Sequence, residues 1–551
     1  MTIMNGGGGG GGHRIVTLSP SSWHTSLSPT STTSTYDEES NSSSSSRLIR
    51  QLDEHFDKFN RSSSDTDVES STRVPVVPWR STVLLSLIFR LGIFLLPSFV
   101  SPRFSRTPSS SSPSPTSGRR MRPGPTAYLD GMRGLAALFV FFCHHSYTSF
   151  VVAQGYGYGE SSNYHFLKLP IVRLWYQGPP MVCVFFVISG YALSLKPLRL
   201  SRSRNFEGFS ATMSSFVFRR GLRLFLPTAI STLMVVVLLR LGAYEWTRDF
   251  ANDPDYHRNV REIHYRRFDT LGEQVWDWVG NMWRFVHIWD WAKFGGSTGY
   301  DPHLWTIPVE FRASMMLFLV LLGTARLRTA WRVVTVLGAL GFVYRSDRWE
   351  MVLFLAGMIL AELDLMRSNS ERKQALPIQE ETEKEERGGL GWKGVWWVVI
   401  GVMGLYLMSQ PDEFGEETPG WVTLSSVIPE WWSDKYRYWQ SWGAILFVLA
   451  VGRLPGWQRV FNGGSVQYLG KISYSLYLVH GPVLHTVGYA TERWVWTNIT
   501  GIETEPAYNA GFALAAVVIV PMVIWAADVF WRAVDAPVVR FAKWVEGRCS
   551  I

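Results

Sequence analysis

The sequence predicts an all-α membrane protein, a polytopic bundle of about ten transmembrane helices. Apolar blocks recur along the chain, and several approach the ~20 residues that cross a hydrocarbon core. The chain also contains 26 tryptophans, and runs such as 276–291 are typical of the aromatic belts found at a membrane surface. The mean hydropathy of +0.03 conceals this pattern, because a polar N-terminal region dilutes the apolar blocks.

The predicted spans follow one another along the chain, and two of them (331–344 and 441–455) are short for a crossing. In order they are 128–150, 179–196, 219–241, 304–323, 331–344, 349–364, 393–409, 441–455, 472–489 and 509–531. The upstream block 82–99 is also apolar, but Arg90 lies at its centre. An interfacial position is therefore favoured for it, and an eleventh span is the alternative.

Residues 1–122 are otherwise rich in Gly and Ser, a composition that cannot bury enough apolar surface to fold. They are predicted to form a largely disordered cytoplasmic tail, followed by a membrane domain over 123–545. Lys and Arg cluster before the first span and in alternate connections, which predicts that these sides face the cytoplasm. The net charge of +8 is thus explained by membrane topology, with the lipid bilayer as partner and no role for nucleic acid.

The three cysteines predict no disulfide framework, because two of them, Cys143 and Cys183, fall inside predicted spans. The chain has no spacing typical of zinc ligands, no Walker loop and no dinucleotide fingerprint. The sequence therefore predicts neither a metal site nor a bound cofactor. Oligomeric state has no signature in the sequence.

The first predicted span carries ionisable residues that are costly in hydrocarbon and usually functional, namely Asp130, Arg133, His144 and His145. Arg133 and His144 are eleven residues apart, which places them within about 20° of one helix face and about 16 Å apart along the axis. His145 lies about 120° around the helix from Arg133 and is a second-tier candidate. The alternative is structural: Arg133 extends to the interface and His144 is a packed hydrogen-bonding group.

Five residues of the second and third spans are candidates for binding a donor substrate. Ser189 and Tyr191 flank a glycine, where a substrate arm could approach the backbone, although close helix packing explains the same residues. Arg219 and Arg223 are i,i+4 neighbours with Arg220 beside them, and arginine forks bind phosphates well. An ordinary cytoplasmic anchor is the alternative for these arginines.

Two further ionisable residues lie in later spans. Glu310, near the start of the fourth span, is predicted to orient a histidine or bind an acceptor hydroxyl, or else to pair with an arginine. His480 lies in the middle of the ninth span and is a second-tier candidate, since a lone membrane histidine is more often a packed hydrogen-bonding group.

Five segments, taken in order, resemble the membrane acyltransferase-3 family, most closely its fungal stand-alone members. The segments are YLDGMRGLAALFVFFCHH, FFVISGYALS, FRRGLRLFLP, LWTIPVEF and YLGKISYSLYLVH. The resemblance covers roughly 123–545 and implies acyl transfer from cytosolic acyl-CoA onto a hydroxyl. It places the family's arginine and histidine on Arg133 and His144, and its membrane glutamate on Glu310. It places the family's basic pair on Arg223 with Arg219 or Arg220.

The sequence thus predicts an integral-membrane O-acyltransferase of a eukaryotic membrane, such as the endoplasmic reticulum or the plasma membrane. Acyl-CoA is the co-substrate, with acetyl as the expected acyl group, and the acceptor is a hydroxyl of a carbohydrate, lipid or natural product. His144 is the expected general base, and Arg133 binds the donor or stabilises the oxyanion. The rival hypothesis is a transporter or ion-coupled carrier that uses the buried charges as a pathway.

Overall fold

The structure is a computed structural model that describes residues 92–98, 124–159, 161–289, 296–374 and 392–550. These ranges fold into helices, and within them the only β-type pairing is an isolated bridge between Thr298 and Asp301. The predicted all-α class is confirmed. Most of the predicted tail 1–122 and residues 375–391 lie outside the described residues.

We number the α-helices of the described chain from α1 to α16. They are α1 Ala127–Ser146, α2 Gly178–Arg202, α3 Phe206–Arg240, α4 Ala243–Asn252, α5 Leu271–Val286, α6 Thr306–Thr324, α7 Thr329–Arg345, α8 Trp349–Gln374, α9 Trp392–Met408, α10 Val422–Ser426, α11 Arg437–Val451, α12 Pro455–Phe461, α13 Gly464–Val483, α14 Tyr489–Val495, α15 Glu505–Phe530 and α16 Ala536–Cys549. Short 3₁₀ helices precede α2 and α6, and π-helical turns continue α13, α14 and α15.

Each of the ten predicted spans coincides with one of these helices. Four helical segments are long and apolar enough to cross a membrane by length and composition: Gly178–Arg202, Phe206–Arg240, Pro302–Thr324 and Glu505–Cys549. A fifth candidate combines α11 with α12, which meet at an angle of 103°. Neither α1 nor α13 is among them; both carry ionisable or hydroxyl side chains that lower their hydropathy. Ten crossings therefore stay a prediction.

Helices α1 and α13, which carry His144 and His480, pack in parallel with their backbones in contact. A Cβ added at Gly134 would collide with the backbone of Gly470, and one added at Gly470 would collide with Asp130. Small residues at such crossings let two helices approach closely. His144 and His480 each lie ten residues after the glycine of their own helix, so the parallel packing brings the two imidazoles to the same level.

Helix α5 belongs to the connection between the predicted spans 219–241 and 304–323, and it lies along α3. The indole of Trp278 donates to the hydroxyl of Thr232 at 3.0 Å, and Phe285 contacts Phe225 lower on α3. The opposite face of α5 exposes Trp276 and Trp283. Tryptophans therefore lie on both faces of α5, beside a predicted span rather than only at its end.

Of the apolar block 82–99, the structure describes residues 92–98. The backbone amide of Ser98 donates to the buried carboxylate of Asp528 at 2.9 Å, and the indole of Trp525 donates to the carbonyl of Leu95 at 2.7 Å. This part of the block is thus attached to α15. The choice between an interfacial and a spanning position for 82–99 stays a prediction.

The glycine contact between α1 and α13 predicts opposite changes in stability for two matched glycine-to-alanine substitutions. Gly134→Ala should destabilise the protein by about 1–3 kcal/mol, because the added methyl group must push two backbones apart. Gly338→Ala, on the exposed face of α7 where an added Cβ meets nothing within 4 Å, should instead stabilise by up to about 1 kcal/mol through helix propensity. Unfolding in detergent measures both. A neutral Gly134→Ala would contradict the backbone contact.

Candidate active site

Three imidazoles meet where the C-terminal half of α1 faces α13 and the 3₁₀ turn Pro302–Trp305. The ring centroid of His144 lies 4.1 Å from that of His303, at an interplanar angle of 70°, and 5.2 Å from that of His480. His303 and His480 are 5.0 Å apart. His303 and His480 are buried, whereas His144 is half-buried. Of the three rings, His144 is therefore the most accessible to a substrate.

His303 lies between two buried carboxylates. Its Nδ1 is 2.8 Å from Oδ1 of Asp301, and its Nε2 is 2.9 Å from Oε1 of Glu262. Asp301 precedes the same 3₁₀ turn, while Glu262 belongs to the extended segment between α4 and α5. An ionised carboxylate only accepts hydrogen bonds, so both nitrogens of His303 must carry protons if hydrogen bonds alone hold the network.

The second oxygen of Glu262 extends the network to His485. Nε2 of His485, in the π-helical turn Leu484–Gly488, is 2.6 Å from Oε2 of Glu262. Burial alone would raise the pKa of the Glu262 carboxyl, but His303 and His485 hold that pKa well below its usual range. Single π-helical turns are frequent at functional sites. Four side chains from three separate segments thus form one buried cluster.

His264 completes the outer wall of this cluster. Its ring stacks on that of His485 at a centroid distance of 4.9 Å, and its Nδ1 is 2.9 Å from the carbonyl oxygen of Tyr244. Burial, followed by the charge of His485, lowers the pKa of His264 to about 3. His264 is therefore neutral and donates Nδ1–H to that carbonyl.

On the two imidazoles next to His303, one ring nitrogen each lacks a partner among the described residues, as does Nε2 of His264 in the outer wall. Nδ1 of His480 donates to the carbonyl oxygen of Tyr477 at 2.8 Å, so in the neutral ring Nε2 carries a lone pair. That Nε2 and Nδ1 of His144 are buried, and within the described ranges neither has a hydrogen-bond partner. Buried polar atoms are nearly always bonded, so two such atoms side by side indicate a place that receives a substrate, a water or an ion.

The same side chains have the spacing of metal ligands. The ligand atoms of Glu262, His303 and His485 lie within 4.8 Å of one another, and so do those of His144, His303 and His480. Imidazole and carboxylate are ligands that Zn²⁺ accepts. The sequence predicted no metal site, because these ligands come from distant segments and follow no short spacing rule.

The predicted catalytic residue Glu310 lies in a different set of contacts. Its Oε1 accepts from Arg220 at 2.8 Å and from the hydroxyl of Ser189 at 2.9 Å, and Arg220 also donates to Ser314 at 3.0 Å. The described contacts do not connect Glu310 directly with His144. The structure therefore gives Glu310 the arginine partner that was the alternative in the sequence, and it ties Ser189 to the same pair.

Arg133 and Arg223 lie beside Arg220. Arg223 is exposed, and its electrostatic neighbours are Arg220, Arg133 and Asp535. It makes no hydrogen bond or ion pair within the part of the chain that the structure describes. Arg133 has a long ion pair of 3.7 Å with Asp130 in its own helix. These three arginines form a cationic cluster whose charge is only partly compensated.

The other two predicted donor residues have partners elsewhere. Arg219 forms a 3.0 Å ion pair with Glu546 of α16. The hydroxyl of Tyr191 donates to Asp364 at 2.9 Å, and Asp364 forms an ion pair with Arg453. The structure thus brings Arg133, Arg220 and Arg223 together and separates Arg219 and Tyr191 from them.

Two hydroxyl groups connect helix α6 with the backbone beside the histidines. Tyr477 donates to the carbonyl of His303 and accepts from Thr306 at 2.6 Å. Thr306 precedes Glu310 by about one turn of α6. Along α1, Arg133 and His144 are about 16 Å apart. The cationic cluster and the histidines are thus separated by about the length of this part of α1, or about 16 Å.

His145 belongs to neither cluster. Its ring stacks on Phe512 at 4.4 Å, and its Nδ1 lies 3.3 Å from Oε1 of Glu492. Burial raises the pKa of Glu492 to about 8. His145 thus packs on the side of α1 away from His303, whereas the other second-tier candidate, His480, joins His144.

Sequence reasoning missed four residues of the site: Glu262, Asp301, His303 and His485. One signal was available, since Asp301 and His303 directly precede the apolar helix α6. The pairing of Glu262 with two histidines depends on tertiary packing and has no local pattern.

Comparison with known proteins gives one family match and several similar acyltransferases. A family model described as an acyltransferase domain, of the acyltransferase-3 type, matches residues 126–532. An O-acetyltransferase, PaAT-1 of Phomopsis amygdali, is 34% identical over 77% of this chain and 85% of its own length. Acyltransferase clz18 of Cochliobolus lunatus and acyltransferase R4 of a Phoma species are each 29% identical over 75% of this chain and 94% of their own lengths. No solved structure matches the chain.

Proposed function

This chain belongs to the acyltransferase-3 family, and on that basis we propose that it moves an acetyl group from acyl-CoA to a hydroxyl of a carbohydrate, lipid or natural product. The similarity to a named O-acetyltransferase supports acetyl as the acyl group and oxygen as the acceptor atom. The similarity to acyltransferases also favours an enzyme over a transporter. The apolar helices support an integral-membrane, multi-pass location.

The observation that carries the mechanism is the position of His144. It is the half-buried ring among three close imidazoles, and its neighbours His303 and His480 are buried. In the proposed reaction a neutral His144 takes the proton of the acceptor hydroxyl while the hydroxyl oxygen attacks the thioester carbonyl. The carbon–sulfur bond then breaks, and His144 returns the proton to the CoA thiolate.

The cationic cluster supports a donor site on the arginine side of α1. CoA carries several phosphates, and Arg223 offers an exposed guanidinium beside Arg220 and Arg133. With its phosphates at these arginines, a donor that extends about 16 Å parallel to α1 places its thioester near His144. Glu310 then acts indirectly, by holding Arg220 in place.

Replacement of His144 tests the general base. His144→Ala should reduce kcat for transfer from labelled acetyl-CoA by about 10²–10⁴-fold, because the proton acceptor is lost, while the unfolding temperature stays near that of the parent protein. His145→Ala should retain most activity per folded molecule, although its packing against Phe512 and Glu492 predicts lower stability. The reverse pattern, with His145 essential and His144 dispensable, would refute the assignment.

Two arginines of α3 provide a matched pair for the donor site. Arg223→Ala should raise the KM for acetyl-CoA with little change in kcat, because phosphate binding contributes equally to the ground state and the transition state. Arg219→Ala should have a smaller effect on this KM, since Glu546 already binds that guanidinium. Initial rates measured at varied concentrations of donor and acceptor give the donor KM of each variant. An unchanged donor KM in Arg223→Ala would return this arginine to the role of a membrane anchor.

A further inference from the structure

We propose that Glu262, His303 and His485 bind one divalent transition-metal ion, with Zn²⁺ as the best match, beside His144. Their ligand atoms lie within 4.8 Å of one another, and all three side chains are buried. Two imidazoles and one carboxylate form the three-ligand set of many zinc sites that keep a fourth position open. The site goes beyond the acyl-transfer proposal, and its existence does not depend on that proposal.

The charges of the cluster favour an ion. Asp301 and Glu262 are two buried carboxylates, and in the described chain their only ion-pair partners are His303 and His485. Neither carboxylate has an arginine or lysine among its described ion-pair partners. A divalent cation bound between the imidazoles and Glu262 would offset the charges of the two carboxylates.

Asp301 provides the outer contact that metal-bound histidines usually have. Its Oδ1 lies 2.8 Å from Nδ1 of His303, and a proton on that nitrogen leaves the lone pair on Nε2, the atom beside Glu262. A carboxylate in this position fixes the tautomer and the ring orientation of a ligating histidine. The hydrogen bonds of Nε2 to Glu262, in both His303 and His485, would be replaced by bonds to the ion.

The unpartnered nitrogens of His144 and His480 give an independent argument for an ion at this site. Nε2 of His480, a residue 1% exposed, and Nδ1 of His144 are buried without a partner in the described chain, and their rings neighbour His303. A water or an acceptor hydroxyl in the open position of the ion would supply the missing hydrogen-bond donor. The metal would also lower the pKa of that hydroxyl, which makes its proton easier for His144 to remove.

Metal content tests the site without reference to activity. Tag-free full-length protein, purified in detergent without chelator, should contain about one zinc ion per chain by elemental analysis. Glu262→Gln and His485→Ala should each lose most of the metal, and Asp301→Asn should weaken zinc affinity by about 10–100-fold in competition with a chromophoric chelator. His264→Ala is the matched control, because its ring packs on His485 but its Nδ1 is bonded to Tyr244, and it should keep the metal.

Cobalt gives a second measurement that does not depend on how well the variants fold. Parent protein stripped with a chelator and refilled with Co²⁺ should develop the visible absorption of a four-coordinate nitrogen and oxygen site. Substoichiometric zinc together with no cobalt spectrum would overturn the proposal and leave a purely hydrogen-bonded network. Equal metal in Glu262→Gln and the parent protein would also overturn it, since the ion would then lie elsewhere.

The outcomes for His144→Ala separate this inference from the proposed function. This variant should keep its metal and lose transfer activity, because His144 is not one of the three ligands. Activity retained in His144→Ala with metal present would refute the general base but leave the metal site intact. Activity lost in His144→Ala with no metal in the parent protein would refute the metal site alone.

Discussion

The backbone contact between α1 and α13 is the constraint on which the rest of the site depends. Gly134 and Gly470 let the two helices touch along a parallel crossing, and no larger residue fits at either position without moving a backbone. Since each histidine follows its glycine by ten residues, His144 and His480 reach the same level. The helix then continues past His480 through a π-helical turn, which carries His485 to Glu262. One helix thus supplies both a neighbour of the proposed base and a member of the buried cluster.

The buried charges fall into two groups, which differ in the side chains that neutralise them. At one end, Glu310 is neutralised by Arg220 and hydrogen-bonded to Ser189, while Arg223 keeps an exposed positive charge. At the other end, the described ion-pair partners of the carboxylates Glu262 and Asp301 are histidines. An exposed guanidinium suits an anionic donor, whereas carboxylates beside imidazoles suit a cation. The hydroxyl groups of Thr306 and Tyr477 lie between the two groups.

The structure also reassigns residues that the sequence grouped by proximity along a helix. Arg219 and Arg223 are one turn apart and were expected to act together, yet Arg219 is bound by Glu546 and Arg223 has Arg133 and Asp535 as neighbours. The i,i+4 rule says which side chains share a face, but it does not say which other helix covers each of them. Tyr191 shows the same limit, since Asp364 of a different helix binds its hydroxyl.

The sequence by itself determined the all-α class and the positions of ten of the helices, and it singled out Arg133 and His144 as candidates, because hydropathy and helical periodicity are local properties of the chain. It also determined the family, since five motifs recur in order. Only the tertiary structure decided the surroundings of His144. Glu262 and His485 are more than 200 residues apart in the sequence. Together with His303 and His480, they become neighbours only when the helices pack. Packing also decided that Glu310 binds Arg220 instead of a histidine, because that choice depends on which helix lies beside α6.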